Sequence, residues 1–305
     1  MNKEKQILPN FLGIGAPRAG TSWLSVNLRK HPDIWMPHIK ELHYFDRSLT
    51  YPTPTYLACK WPFKRFFGSE EHNVKFRRKF KKTITNDIKN RSWVHIAWDI
   101  NYFFGVYNDK WYMSLFRQGN FKIKGEITPA YSILKTQDVV RLKRLMPEVK
   151  IIYLIRNPID RTWSHIRRLE MRDNFIFTSL TFKEQKNFVN KPEIALPSDY
   201  IRTLSIWSDH FTEKQFFIGF YDEIEKTPIE FLKKIFDFLN IKNFRIYFNK
   251  SAFDRINASP MREAPMDLKL YLAEKYHSQV LELKNMLNGF TEKWIRDMET
   301  IREIR

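Results

Sequence analysis

Residues 11–30 read as a strand, a tight glycine-bearing turn and a helix, and that order limits the chain to a small set of folds. Phe11, Leu12 and Ile14 form a short apolar run of the kind buried in a sheet, and Trp23, Leu24 and Leu28 recur on one face of segment 21–30. The same order returns at 150–155 followed by 158–171, and at 215–220 followed by 228–239. Residues 121–124 supply a fourth strand, 137–146 the helix leading to 150–155, and 266–287 a last helix with apolar residues at helical spacing. Strands alternating with helices predict an α/β fold with a central parallel sheet flanked by helices. Ligands of such sheets bind beyond the carboxyl ends of the strands, so the loops after Ile14, Lys124 and Ile155 are expected to converge.

Of the 305 residues 43% are hydrophobic, enough for one domain over 1–305. Residues 49–119, rich in Pro, aromatic and basic residues, read as an insertion or lid, and 178–197 as a loop between helices. The single cysteine, Cys59, excludes an intrachain disulfide, and no His/Cys cluster in the sequence suggests a metal. Residues 1–10 lack an apolar signal core and no apolar run is long enough for a bilayer, so the expectation is a soluble cytoplasmic protein. Lys plus Arg number 52 against 34 acidic residues, a net charge of +18 that favours an anionic partner: nucleic acid, membrane surface, acidic glycan or nucleotide. Much of the excess lies in 75–82 and 141–144, where a solvated helix face explains it equally well.

The turn Gly15-Ala16-Pro17-Arg18-Ala19-Gly20-Thr21-Ser22-Trp23 has the spacing of a phosphate-cradling P-loop. Such a turn aims backbone N–H groups and a positive helix end at one point. A nucleotide triphosphatase would carry Lys at position 21, but here that position is Thr and the cation is Arg18, inside the loop. The second motif is Arg156-Asn157-Pro158-Ile159-Asp160-Arg161, with Ser164 about two turns along the following helix. A magnesium-dependent enzyme commonly ends such a strand in Asp. Here it ends in Arg156, whose guanidinium can fork onto a second phosphate alongside the Ser164 hydroxyl.

Two phosphate sites without a magnesium site resemble the signature of the sulfotransferases that use 3′-phosphoadenosine 5′-phosphosulfate (PAPS). Further resemblance lies in Lys40-Glu41-Leu42-His43-Tyr44-Phe45-Asp46, similar to the Lys-Glu-x-His-Phe-Phe-Asp of glycan sulfotransferases. It continues through Trp111-Tyr112, through Gly125-Glu126-Ile127-Thr128-Pro129-Ala130-Tyr131, and more loosely through residues 219–223 and a C-terminal helix ending near Trp294. The resemblance implies a P-loop-containing fold with PAPS as donor and adenosine 3′,5′-bisphosphate (PAP) as product. Arg18 would neutralise the leaving phosphate, while Ala19, Gly20, Thr21 and Ser22 would hold the 5′-phosphate. Arg156 and Ser164 would hold the 3′-phosphate; Trp23 matches an adenine-stacking position and equally a core position. Glu41 is the candidate general base and His43 its rival. Arg255, Asn257 and Arg262 fall where the family closes a loop over the nucleotide, although its Lys-Gly-Arg pattern is absent. Glu126 and Thr128 are placed to shape the acceptor site, and Ile127 departs from a lysine of the glycan enzymes.

The implied reaction is sulfuryl transfer to a hydroxyl or amine of a small molecule or glycan, with Trp61, Trp93, Trp98, Tyr102 and Trp111 either stacking on the acceptor or packing. A P-loop kinase acting on a small molecule or polynucleotide end is the rival, and Thr21 and Arg156 count against it. A nucleic-acid-binding protein using the basic run at 75–82 ranks below both. The sequence leaves the acceptor and the oligomeric state open.

Overall fold

The strands are β1 (Phe11–Gly15), β2 (Ile34–Trp35), β3 (Ile123–Ile127), β4 (Lys150–Ile155) and β5 (Phe216–Phe220), all parallel, in the spatial order β2-β3-β1-β4-β5. The computed structural model describes residues 7–120, 122–242 and 262–303. Strand β1 is central: Phe11 aligns with Gly125 of β3 on one side and with Lys150 of β4 on the other. A strand paired on both edges and covered on both faces excludes water throughout, so Phe11, Leu12 and Ile14 are fully buried, as are all residues of β4 after its first.

Helix α1 (Thr21–Leu28) leads to the edge strand β2, and α2 (Pro62–Phe67), α3 (Glu71–Lys89), α4 (Trp93–Phe104) and α5 (Asp109–Ser114) fill the long connection to β3. Helix α6 (Thr136–Leu145) joins β3 to β4, and α7 (Pro158–Asp173), α8 (Phe182–Val189), α9 (Pro192–Ala195) and α10 (Tyr200–Ser208) lie between β4 and β5. After β5 come α11 (Tyr221–Lys226), α12 (Pro228–Phe238), α13 (Met266–Met286) and α14 (Thr291–Glu303). The chain leaves β1 toward one edge of the sheet and β4 toward the other, which makes the gap between them the topological switch point.

The α/β expectation holds, with three departures. Segment 178–197 is largely helical: Thr181 and Glu184 form a capping box that starts α8, and Pro192 occupies the first turn of α9. Strand β3 begins and ends later than 121–124, of which residue 121 lies outside the described residues, and runs through Gly125 and Glu126. Trp294 does not end the C-terminal helix but sits fully buried near the start of α14, its indole N–H donating to Asp222.

Helices α2–α4 share an aromatic cluster in which Phe66, Phe76, Phe80 and Phe103 meet edge to face at 5.2–5.5 Å. This explains the basic run at 75–82: Phe76 and Phe80, one turn apart, turn inward and leave the lysines and arginines on the other faces of α3. Arg65 is fully buried with no acidic partner among the described residues and instead donates to the carbonyls of Cys59, Lys60, Phe103 and Gly105.

Gly125 shows how closely β3 and β1 pack, since a Cβ there would lie 2.1 Å from Phe11 Cζ. We expect Gly125→Ala to lower stability by about 1–3 kcal/mol, the usual range for overpacking a core. A urea denaturation midpoint equal to wild type would show that the Phe11 ring can swing aside.

Candidate active site

Residues 16–20 form the loop beyond β1, at the switch point. Arg18 (φ +72°) and Gly20 (φ +90°) both take the left-handed conformation that turns the chain into α1. Gly20 meets both demands for glycine, because a Cβ would also lie 2.5 Å from Ile224 Cδ1. The first turn of α1 carries no acidic residue and its cap offers no side-chain oxygen, so nothing on the helix itself neutralises its positive end.

The second motif folds just as locally. Asn157 caps α7 by accepting from the Ile159 N–H at 3.0 Å, and Pro158 fills the first helical position, where its missing N–H costs nothing. Arg161 is fully buried and donates to Ser198 and to the Ile194 carbonyl, so it clasps α9 and the turn that follows it. Arg156, at the end of β4, is fixed by its carbonyl, which accepts from the Tyr200 hydroxyl at 2.6 Å.

The two motifs meet. Arg18 Nε donates to Ser164 Oγ at 3.0 Å, and Arg156 Nη1 reaches the Arg18 carbonyl at 3.4 Å. The Arg156 guanidinium lies 4.2 Å from the Tyr221 ring centre, and its Nε is buried without a hydrogen-bond partner among the described residues. Burial, then the charges of Arg168, Arg156 and Arg167, push the Arg18 guanidinium below the usual arginine range. His165 feels the same field: burial first, then Arg161, Arg18 and Arg172, hold it at about 3. Clustered guanidiniums, one with an orphaned buried donor, fit a ligand bearing more than one phosphate. Arg167 and Arg168 lie outside both sequence motifs, although they follow Ser164 at i+3 and i+4 on the same helix face.

Opposite the arginines lies a strap, residues 38–46, without helix or strand. Glu41 (φ +67°) and His43 (φ +53°) both adopt left-handed backbone. Lys40 Nζ lies 2.8 Å from Glu41 Oε1 and 3.5 Å from Ser22 Oγ, bridging the strap to the phosphate loop. His43 lies 3.7 Å from Glu41 through Nε2 and 2.7 Å from Asp46 through Nδ1. Burial favours the neutral Glu41 carboxyl, but the hydrogen bond to His43 and the Lys40 charge outweigh it and hold it at about 2. Burial likewise opposes charge on His43, and Asp46 and then Glu41 overcome it, raising the imidazole to about 10. The Glu41 side chain remains 40% exposed, and a substrate can reach it. Lys79 of α3 feels the Glu41 charge, although burial is the larger effect and holds the Lys79 ammonium below the usual lysine range.

The strap rests on one buried carboxylate. Glu126 accepts from Tyr112 at 2.6 Å, Thr128 at 2.8 Å and Tyr131 at 3.2 Å. The Thr128 and Tyr131 oxygens in turn accept the backbone N–H groups of Leu42 (3.0 Å) and Tyr44 (2.9 Å), which flank His43. Glu126 and Thr128 are therefore buried supports and do not line an acceptor surface.

Several other residues fall elsewhere than their motifs suggest. Trp23 is 5% exposed and packs against Phe231, so core packing accounts for it and no adenine contact is assigned to it. Ile127 is buried in the sheet. Trp98, Tyr102 and Trp111 are also buried, leaving only Trp61 and Trp93 of the five expected aromatics exposed. Arg262 pairs with Glu170 of α7 at 2.7 Å, while Arg255 and Asn257 lie outside the described residues. No helix among the described residues is long and apolar enough to cross a membrane.

Residues 9–245 match the model of the sulfotransferase family. Over 150 residues the chain is 28% identical to human heparan sulfate glucosamine 3-O-sulfotransferase 3B1, covering 46% of this chain and 38% of that protein. Over 188 residues it is 24% identical to the Xenopus tropicalis bifunctional heparan sulfate N-deacetylase/N-sulfotransferase 1, covering 52% of this chain and 21% of that protein. The chain thus spans well under half the length of these curated relatives. The solved sulfotransferase from Alicyclobacillus acidocaldarius shares the fold, with a TM-score of 0.64 at 21% identity over 94% of this chain and 98% of that one.

The Glu126 cradle carries a pH signature. Burial pushes its carboxyl up to about 7, against the lowering by the three hydroxyl donors, from an ordinary 4.5. The folded state therefore binds the proton more tightly than the unfolded chain, and stability falls as pH rises between those values. At neutral pH the loss is on the order of 3 kcal/mol. We expect Glu126→Gln to remove this decline while keeping the fold. Urea midpoints measured across that window should slope downward for wild type relative to the variant; parallel curves would sink the assignment.

Proposed function

This chain belongs to the sulfotransferase family, and from that premise we propose that it transfers the sulfuryl group of PAPS to a hydroxyl or amine of an anionic acceptor of the glycan class. The observation that carries this reading is Lys40, which contacts both Ser22 of the phosphate loop and the Glu41 carboxylate. A proton acceptor thereby stands beside the loop that would hold the donor.

PAPS supplies a sulfuryl group bound to its 5′-phosphate, and transfer leaves PAP and a sulfated acceptor. The loop around Arg18, Ala19, Gly20, Thr21 and Ser22, with the positive end of α1, would hold the 5′-phosphate. Arg18 meets the charge left on that phosphate; as a permanently charged group it acts by electrostatic stabilisation and donates no proton. Arg156 and Ser164 would hold the 3′-phosphate, and the orphaned Arg156 Nε fits that role.

Glu41 takes the acceptor proton. Held at about 2, it is ionised throughout the neutral range but weakly basic, so it accepts the proton late, after bond formation has acidified the acceptor. His43, cationic and gripped by Asp46, orients Glu41 and lacks the free lone pair that a base requires. The kinase alternative has no support at β4, which is followed by Arg156 where a metal-binding carboxylate is wanted. For the acceptor, Lys40 and Lys79 flank Glu41 with positive charge, which supports an anionic substrate.

An acceptor screen with labelled PAPS, spanning acidic glycans, neutral glycans, phenols and small alcohols, tests the reaction; label transfer to none of them would sink it. In the same assay Glu41→Gln should lower kcat about 10²- to 10⁴-fold with PAP affinity nearly unchanged, the usual worth of general-base catalysis. Arg156→Ala should weaken PAP binding by about 10- to 100-fold, the worth of a charged hydrogen bond. With Glu41 as base, kcat/KM should be flat between about pH 5 and 8 as far as this pair is concerned. If His43 were the base, the rate would climb steadily toward its value of about 10.

A further inference from the structure

A second cluster of titratable side chains lies where the strap meets the α3–α4 hairpin, apart from the arginines. His38 Nε2 is 2.8 Å from Asp99 Oδ1 and 3.9 Å from Asp87 Oδ2, and His95 Nδ1 is 3.8 Å from Asp87 Oδ1. One ligand atom each from His38, Asp87 and His95 falls within 4.8 Å of the others. Asp99 is fully buried and Asp87 is 5% exposed, yet Oδ2 of each has no hydrogen-bond donor among the described residues, and the two carboxyls face each other. Leaving such oxygens unanswered is unfavourable. The two imidazoles stack face to face, 4.1 Å apart and 4° from parallel.

We infer that His38, Asp87 and His95, with Asp99 as fourth ligand, bind one zinc-class divalent cation that ties the Glu41 strap to the α3–α4 hairpin. Two nitrogens and two carboxylate oxygens are a donor set that zinc takes tetrahedrally, and imidazole ligation disfavours magnesium and calcium. Two carboxylates balance the charge of a divalent ion, and the ion gives both orphaned carboxylates a partner. Neighbouring ligand atoms around tetrahedral zinc stand about 3.4 Å apart, given bonds of about 2.1 Å. The contacts at 3.8 and 3.9 Å shorten toward that spacing, the 2.8 Å His38–Asp99 contact lengthens, and His95 must turn out of its stack on His38 before both imidazole lone pairs meet one ion. His95, with its side chain 43% exposed, is the ligand free to turn; His38 is held by Trp98, 4.7 Å away edge to face. The sequence hides this set: position 38 is far in sequence from 87, 95 and 99, and no spacing resembles a zinc motif.

The test uses untagged full-length protein, stripped with chelator and then titrated with zinc chloride by calorimetry, with metal counted after gel filtration. One zinc per chain is expected, with a rise in unfolding midpoint that magnesium does not reproduce. His95→Ala and Asp87→Asn should each weaken zinc binding at least tenfold. The exposed His95 makes its variant safe for folding, which circular dichroism and unchanged PAP binding would confirm. Failure to retain stoichiometric zinc, or zinc affinity in His95→Ala equal to wild type, would overturn the inference.

Discussion

Strands β1 and β4 lie side by side, yet the chain leaves them toward opposite edges of the sheet, so no connection covers the gap between their carboxyl ends. Each strand delivers one arginine into that gap, Arg18 from the loop after β1 and Arg156 from the end of β4. Helix α7 starts at the same place and brings Ser164, Arg167 and Arg168 along its first turns. The pocket is thus a product of strand order. Exchange the positions of β4 and β5 and the two phosphate motifs would no longer face each other.

Charge divides this pocket into unlike halves. On the arginine side Arg18, His165 and Arg167 are all depressed, as expected where burial and like charges act together before an anion arrives. On the strap side the opposite holds, with Glu41 and His43 each stabilised in the charged form by the other and by Lys40 or Asp46. Lys40 joins the halves by touching both Ser22 and Glu41. A multiply charged donor would complete the first half without disturbing the second, which is already neutralised internally.

Elements with strong local signals were legible in the sequence. The apolar strand 150–155, the Asn157-Pro158 start of α7 and the glycine turn before α1 each follow from a short-range rule, and they define the phosphate half. The 181–184 capping box is also a local signal, but it starts a helix in a segment, 178–197, whose composition resembles a loop. The rest depends on long-range contacts. Nothing local in Glu126 announces that it will lie under the strap, because that follows from β3 entering the sheet beside β1. The aromatics of 49–119 look alike in sequence, and only the packing of α2–α5 separates buried Trp98 and Trp111 from exposed Trp61 and Trp93.

The strap shows why that long-range support is needed. It has no ladder or helix of its own, and two of its non-glycine residues sit in left-handed backbone, each unfavourable by roughly 1–3 kcal/mol. Apolar burial would not fix such a segment, since it is indifferent to backbone direction. Directional bonds can: the Leu42 and Tyr44 N–H groups end on hydroxyls whose own protons are committed to Glu126. In its ionised form the carboxylate only accepts, and so turns the Thr128 and Tyr131 lone pairs toward the strap. A buried charge that destabilises the fold at neutral pH thereby fixes the geometry of the neighbouring Glu41, and positional accuracy at the site is obtained at the expense of stability.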